Sequence, residues 1–227
     1  YRTVLAALHP DVMVCQEMDS QAGVNQFKAN VLDQVFPGEY TAGPFIDGPD
    51  TDNAIYYRAS VVTLVSNANF TTPPTTVRQF SRYQLRFTGY TAPQADLWLY
   101  SFHLKASTGS ANEAQRLLEC QTIRANGNGL PANSRIIYAG DYNMQDSTEA
   151  GYVELLSSQT DNDGRVHDPV NRGGHWYSNV AFAPVHTQSP KNLSNPYGGA
   201  TGGMDDRFDF MLSSTALLSK EGLSWIP

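Results

Sequence analysis

The stretch Arg135-Ile136-Ile137-Tyr138-Ala139-Gly140-Asp141-Tyr142-Asn143 decides how this chain is read. A short apolar run with β-branched and aromatic residues is a buried strand. Gly140 and Asn143 supply the conformations that a tight turn uses. Between them stands Asp141, a carboxylate at the rim of a core. Such a charge is costly to keep there unless something neutralises it. The same arrangement occurs three more times. Asp11 to Cys15 leads into Gln16-Glu17, Leu97 to Phe102 ends in His103, and the strand read over Arg207 to Ser213 carries Asp209 near its start.

Working outward, Tyr1 to Leu8 reads as helix and runs into the first of these strands. Residues 21–36 place Val24, Phe27, Val31, Leu32 and Val35 at helical spacing, so an amphipathic helix follows. Further strands are expected near 53–58, 61–65, 80–88 and 96–103. In the 80–88 strand, Phe80, Arg82, Gln84 and Arg86 alternate with Ser81, Tyr83, Leu85 and Phe87, which suits one wet face. Ser110 and Glu113 match a capping box for a helix running to about Ala125 and closing at Gly127. A short helix is expected over 148–158. From 159 to 206 neither period holds, and a loop of that length carrying His175, Trp176, Tyr177 and His186 reads as functional.

The 227 residues are 41% apolar and 16% charged, with net charge −7. The charged share is well below the roughly 25% of an average soluble domain, so Ser, Thr, Asn, Gln and Gly supply the polar surface. No apolar run approaches the roughly 20 residues of a membrane span, which excludes stable membrane insertion. The net charge excludes nucleic-acid binding by bulk electrostatics alone. Lys28, Lys105, Lys191 and Lys220 are all the lysines there are. A lysine-poor surface of hydroxyls and amides points to a secreted or periplasmic protein. Asn69-Phe70-Thr71 and Asn192-Leu193-Ser194 match the glycosylation acceptor pattern, which arises by chance in such chains. Cys15 and Cys120 read as buried small hydrophobes, with a disulfide between them left open.

Taken singly, each rim residue has a plain structural reading. Glu17 is a solvated strand end, His103 a backbone-bonded histidine, Gly140-Asp141-Tyr142-Asn143 a turn, and Asp209 a partner for Arg207. Taken together, Gln16-Glu17, His103, Gly140-Asp141-Tyr142-Asn143 and Arg207-Phe208-Asp209, in this order, resemble the endonuclease/exonuclease/phosphatase superfamily. The resemblance spans Pro10 to Ser213. It implies an α/β fold: a four-layered α/β/β/α sandwich of two packed mixed sheets, with the site at the rim where they meet. It implies hydrolysis of phosphodiester bonds with Mg²⁺ or Mn²⁺, most often of nucleic acid. A phosphomonoesterase or a sphingomyelinase-like lipid phosphodiesterase is the alternative within that chemistry, and a binding module without catalysis the alternative outside it.

The resemblance also implies roles. Glu17 would bind the metal, Asp141 would orient or activate the attacking water, and Asn143 would hold a phosphate oxygen. His103 would contact the phosphate or assist the leaving group, and Asp209, or else Asp205 or Asp206, would orient the site's histidine or support a metal. Arg58, Arg82 and Arg116 are candidate phosphate partners, and His175 and His186 candidate substrate contacts. Trp176-Tyr177 reads as a buried pair or, on a lipid enzyme, an exposed one. The superfamily's first strand, with a metal-binding Asn, and its last, with Ser-Asp-His, have no counterpart here. The expectation is one domain over 1–227, truncated at both ends, with little or no hydrolytic activity because the general-base histidine is absent. His167-Asp168-Pro169 reads as a turn, not a displaced catalytic pair.

Overall fold

The computed structural model describes residues 1–73, 78–188, 203–219 and 223–226. Among them, strands β1 (Val12–Met18), β2 (Tyr40–Ala42) and β3 (Asp52–Arg58) form one sheet, ordered β1-β3-β2 and antiparallel throughout. Strands β4 (Val62–Thr71), β5 (Gln79–Phe87), β6 (Leu97–His103), β7 (Arg135–Asp141), β8 (Val166–His167) and β9 (Asp209–Ser214) form the other, ordered β4-β5-β6-β7-β9-β8. This second sheet is mixed, because β6 and β7 run parallel and its other pairs antiparallel.

Three cores separate four layers. Between the sheets lie Ile55, Tyr83, Leu85, Leu97, Leu99 and Ala139. Outside the smaller sheet, Leu5 of helix α1 (Arg2–Leu8) packs with Val24, Leu32, Tyr40 and Tyr56. Val24 lies in α2 (Gln21–Phe27), which continues through a π-helical turn, Lys28–Leu32, into α3 (Asp33–Val35). Outside the larger sheet, α4 (Ser110–Asn128) and α5 (Ala150–Leu156) cover Tyr100, Phe102, Tyr138, Tyr142 and Leu212. Each large side chain so buried contributes about 1.5–3 kcal/mol. The chain thus forms the expected α/β sandwich.

Several local expectations change. The N-cap of α4 is Gly109 at φ 99°, not Ser110, and no side chain caps that end. The Glu113 amide donates instead to the Gly109 carbonyl. The helix runs on to Asn128, and Gly127 lies inside it because a Cβ there would meet the Tyr138 hydroxyl at 2.1 Å. The polar face of β5 is only partly wet. Asp96 takes a bidentate ion pair from Arg86 and a bond from Gln84, and Arg82 lies over the Phe70 and Trp98 rings. Cys15 and Cys120 are both free and lie in different outer cores, so no disulfide joins them. The Asn69 amide is bonded to Ile46, Gln79 and Ser81 within β4 and its surroundings, which does not suit a glycan acceptor. Asn192 lies outside the described residues.

Candidate functional site

Strand direction brings the rim together. Because β6 and β7 are parallel, their C-terminal ends reach the same edge, and β9, antiparallel to β7, starts there. In register, His103 stands beside Asp141, and Asp141 beside Asp209. Direct cross-strand neighbours share a face. That face is the one turned toward the smaller sheet, since Leu97, Leu99 and Ala139 on the same face fill the core between the sheets. Glu17 arrives from the opposite sheet. The Gln16 amide donates to Ser101 Oγ at 2.8 Å, and Ser101 donates to Asn53 Oδ1 at 3.1 Å, tying β1, β3 and β6 beneath the rim.

Two of the seven described non-glycine residues with positive φ lie here. Glu17 sits at φ 59° where the register of β1 slips, and Asn143 at φ 52°. Non-glycine residues hold such angles at a cost, on the order of 1–3 kcal/mol each. Gly140 at φ 151° has no alternative, as a Cβ would lie 2.0 Å from the Phe102 carbonyl oxygen. Asn143 turns back so that its amide N–H donates to Asp141 Oδ1 at 2.8 Å and its side chain donates to the Leu104 carbonyl at 3.1 Å.

His103 lies between two carboxylates without bonding either. Its Nδ1 is 3.7 Å from Glu17 Oε1, and its Nε2 is 3.6 Å from Asp141 Oδ2. Nδ1 is buried with no hydrogen-bond partner. Burial, then the positive charge of Arg78, lowers the His103 pKa to about 4. Burial raises Asp141 to about 7, helped by the charges of Asp209 and Glu17 and opposed by the Asn143 amide and Arg78. Burial and Glu17 raise Asp209 to about 6. Asp209 is nonetheless exposed at its strand end, so solvent screens part of that push.

The arginine at the rim is one the sequence reading passed over. Arg78 donates to the Leu104 carbonyl at 2.8 Å, approaches Asp50 at 3.5 Å, and is the cation acting on both His103 and Asp141. The three arginines expected there are elsewhere. Arg58 pairs with Asp11 and Glu39, Arg82 bonds Asn126, and Arg116 is buried against Glu149. Arg207 does not pair with Asp209 but with Asp168, at 2.7 and 3.0 Å. Asp168 opens the turn to Asn171, as read, and is a buried structural partner, while His167 ends β8.

The loop histidines divide. His175 is exposed and 3.2 Å from Asp146. His186 corrects the expectation of a substrate contact. It is buried, with its ring nitrogens on the carbonyls of Met204 and Trp176, and it locks the loop instead. Asp206 is fully buried below it, and burial pushes its carboxyl up to about 6. That buried place does not suit Asp206 as a substitute for Asp209. Trp176 is buried, with its indole N–H on the Met144 carbonyl, whereas Tyr177 is exposed.

Among the described residues, no three His, Cys, Asp or Glu side chains stand close enough to hold a metal as they are placed. The chemistry of the donors fits one all the same. Glu17, Asp141 and Asp209 offer hard oxygen ligands of the kind Mg²⁺ and Mn²⁺ take, no thiolate competes, and the carboxylates disfavour one another as anions.

No family profile matches the chain, and no curated protein matches its sequence. Solved structures do match its fold. D. rerio TDP2 complexed with a single-strand DNA product aligns over 96% of this chain and 76% of its own, at 22% identity and TM-score 0.63. Sphingomyelinase C from Streptomyces griseocarneus aligns over 95% and 75%, at 19% identity and TM-score 0.61. An endonuclease/exonuclease/phosphatase family protein from Bacteroides thetaiotaomicron aligns over 93% and 73%, at 14% identity and TM-score 0.61. The chain therefore has the sandwich fold of the endonuclease/exonuclease/phosphatase proteins. No described helix is long and apolar enough to cross a membrane.

Proposed function

We infer that this protein is a divalent-cation-dependent phosphodiesterase of the endonuclease/exonuclease/phosphatase superfamily, and that its substrate is a nucleic acid. The observation that carries the reading is the rim itself. Four strand ends from two sheets bring Glu17, His103, Asp141 and Asp209 together, and burial, with the charges of Asp209 and Glu17, pushes Asp141 up to about 7 against the Asn143 amide and Arg78. Strongly perturbed titratable groups gathered at one place are candidates for function.

Glu17, Asp141 and Asp209 would hold Mg²⁺ or Mn²⁺. Such a cation neutralises charge on the phosphate and makes bound water more acidic. The protein's own groups do the rest. Arg78 offers a fixed positive charge to a nonbridging oxygen. Neutral at pH 7, His103 presents its unpartnered Nδ1 toward the space beside Glu17, where its ring can contact the phosphate. As a carboxylate, Asp141 orients or deprotonates the attacking water. The Asn143 amide spends one N–H on Leu104 and keeps a second for a phosphate oxygen. His175, exposed beside Asp146, extends the substrate surface. The lysine-poor composition supports a secreted or periplasmic setting.

A lipid phosphodiester is the second reading, favoured by Tyr177 and Val180, both exposed on the loop that carries His175. The deciding experiment gives the protein single-stranded DNA, RNA and sphingomyelin with Mg²⁺, Mn²⁺ or chelator, beside Asp141→Asn. Cation-dependent cleavage of a nucleic acid, lost in the variant, is expected. Cleavage of sphingomyelin alone selects the second reading. No cleavage, with no rise in Tm on adding either cation, returns the protein to a binding module.

A further inference from the structure

His103, Asp141 and Asp209 each have an aromatic sequence neighbour: Phe102, Tyr142 and Phe210. Adjacent residues of a strand point to opposite faces. The three aromatics accordingly turn away from the rim and are buried in the core under α4 and α5. There they touch one another. Tyr142 meets Phe102 edge-on at 4.8 Å and stacks on Phe210 at 3.7 Å, with its ring 11° from parallel.

The row continues beyond Phe210. The Arg207 guanidinium lies over the Phe210 ring at 4.7 Å and the Trp176 ring at 5.7 Å. Asp168 clamps it with two bonds, at 2.7 and 3.0 Å, and the Tyr152 hydroxyl donates to Asp168 at 3.0 Å. Arg207 and Asp168 are both buried. A buried ion pair rarely stabilises more than well-packed apolar residues would, and its best-attested use is to fix one arrangement among several.

Building on the function proposed above, we propose that this column, Phe102–Tyr142–Phe210–Arg207–Asp168, is a positioning device. It sets on the hidden face the spacing that His103, Asp141 and Asp209 keep on the open face. Each ring is one peptide bond from a site residue. A change in ring spacing therefore moves the strand ends against one another, and the ion pair anchors the row at the β9 side. Phe210 is the central positioning residue. Its ring faces Tyr142, Arg207, Tyr152 and Trp176.

The test compares Phe210→Leu, which removes the ring, with Phe210→Tyr, which keeps it. Mn²⁺ affinity is read from the rise of Tm with Mn²⁺ concentration, and turnover is split into kcat and KM. The ¹H and ¹³C shifts of His103, Asp141 and Asp209 are followed in the cation-free protein. For Phe210→Leu we expect a Mn²⁺ affinity about tenfold weaker, kcat about tenfold lower with KM within about twofold, and displaced shifts at all three residues. Phe210→Tyr restores all of them. A lower Tm with unchanged Mn²⁺ affinity, kcat and shifts would make the column mere packing and overturn the proposal. A wild-type protein that neither binds Mn²⁺ nor cleaves anything sinks the phosphodiesterase reading instead. The cation-free shifts then decide the column alone, and unmoved His103 and Asp141 in Phe210→Leu overturn it.

Discussion

Asp141 and Asp168 are the same residue in two places, and the protein treats them in opposite ways. Both are pushed up by burial. At Asp168 the Arg207 guanidinium, the Tyr152 hydroxyl and the Val170 amide outweigh that push and hold the carboxyl below its ordinary value. At Asp141 the neighbours are further carboxylates, and the pKa climbs to about 7. The first aspartate is bonded by a counter-ion and the second is not. Burial alone does not mark a site, since both residues are withdrawn from water. What separates them is whether a counter-charge is bonded to the carboxylate, as Arg207 is to Asp168, or only acts from a distance, as Arg78 does on Asp141.

Breaking the satisfied pair should have the largest effect. Arg207→Met leaves the Asp168 carboxylate buried and unpaired, a change that costs about 3–5 kcal/mol. The double variant Arg207→Met/Asp168→Leu should recover most of that, because both charges leave together. Chemical denaturation of the two variants measures the difference, and equal losses in both would mean that the pair is not what stabilises this corner. Gly140→Ala comes next, at roughly 2–4 kcal/mol, since its Cβ is driven into the Phe102 carbonyl and the β6–β7 ladder must yield. A folded Gly140→Ala protein of wild-type stability would show that the ladder bends there more easily than the geometry allows.

The rim was largely legible in the sequence, and the reason is geometric. A residue that ends a strand stays at its rim whatever the sheet order, so Glu17, His103, Asp141 and Asp209 could be found by strand reading alone. Arg78 could not, because it lies just before β5 and reaches the rim only through the β5–β6 pairing that carries it to Leu104. Arginines are long, and no one-dimensional pattern separates Arg78 from Arg58 or Arg116. His186 misled for the same reason. A histidine in an aperiodic loop gives no hint that two carbonyls will enclose it. The capping box failed because Gly109 can take φ 99°, which lets the helix start one residue earlier than a side-chain cap at Ser110 would have it.

The unsatisfied aspartate gives a prediction of opposite sign. A carboxyl raised in the folded state binds its proton more tightly there than in the unfolded chain. Its contribution is fully present below the unfolded pKa, near 4, and is lost as pH rises through about 7. Asp168, held low, does the reverse, contributing above the unfolded value and losing it as pH falls further. Without divalent cation at pH 8, Asp141→Asn should therefore be more stable than wild type, by on the order of 1–3 kcal/mol. The gap should close toward pH 4. Burial and Arg78 hold His103 low in both proteins, so its own titration drops out of the difference. Adding Mn²⁺ at pH 8 should raise the wild-type Tm and leave Asp141→Asn nearly unmoved. A variant less stable than wild type at pH 8 would show that Arg78 and the Asn143 amide outweigh burial and the neighbouring carboxylates at Asp141.

Asp146 and His175 supply the intermediate case, a partnered but exposed pair. Burial pushes Asp146 up, while the Thr148 backbone and side chain and then His175 outweigh it and leave the carboxyl lowered. His175 itself is largely in water, where such pairs contribute little. His175→Ala should shift stability by no more than about 0.5 kcal/mol, the smallest effect of the set. If His175 also extends the substrate surface, the same change raises KM for an oligonucleotide severalfold while kcat holds, and the loss fades as salt is added. Unchanged KM would leave His175 as loop chemistry only. A stability loss above 1 kcal/mol would instead move it to the satisfied side, beside Asp168, and show that the Asp146–His175 bridge fastens the loop over Trp176 more firmly than its exposure implies.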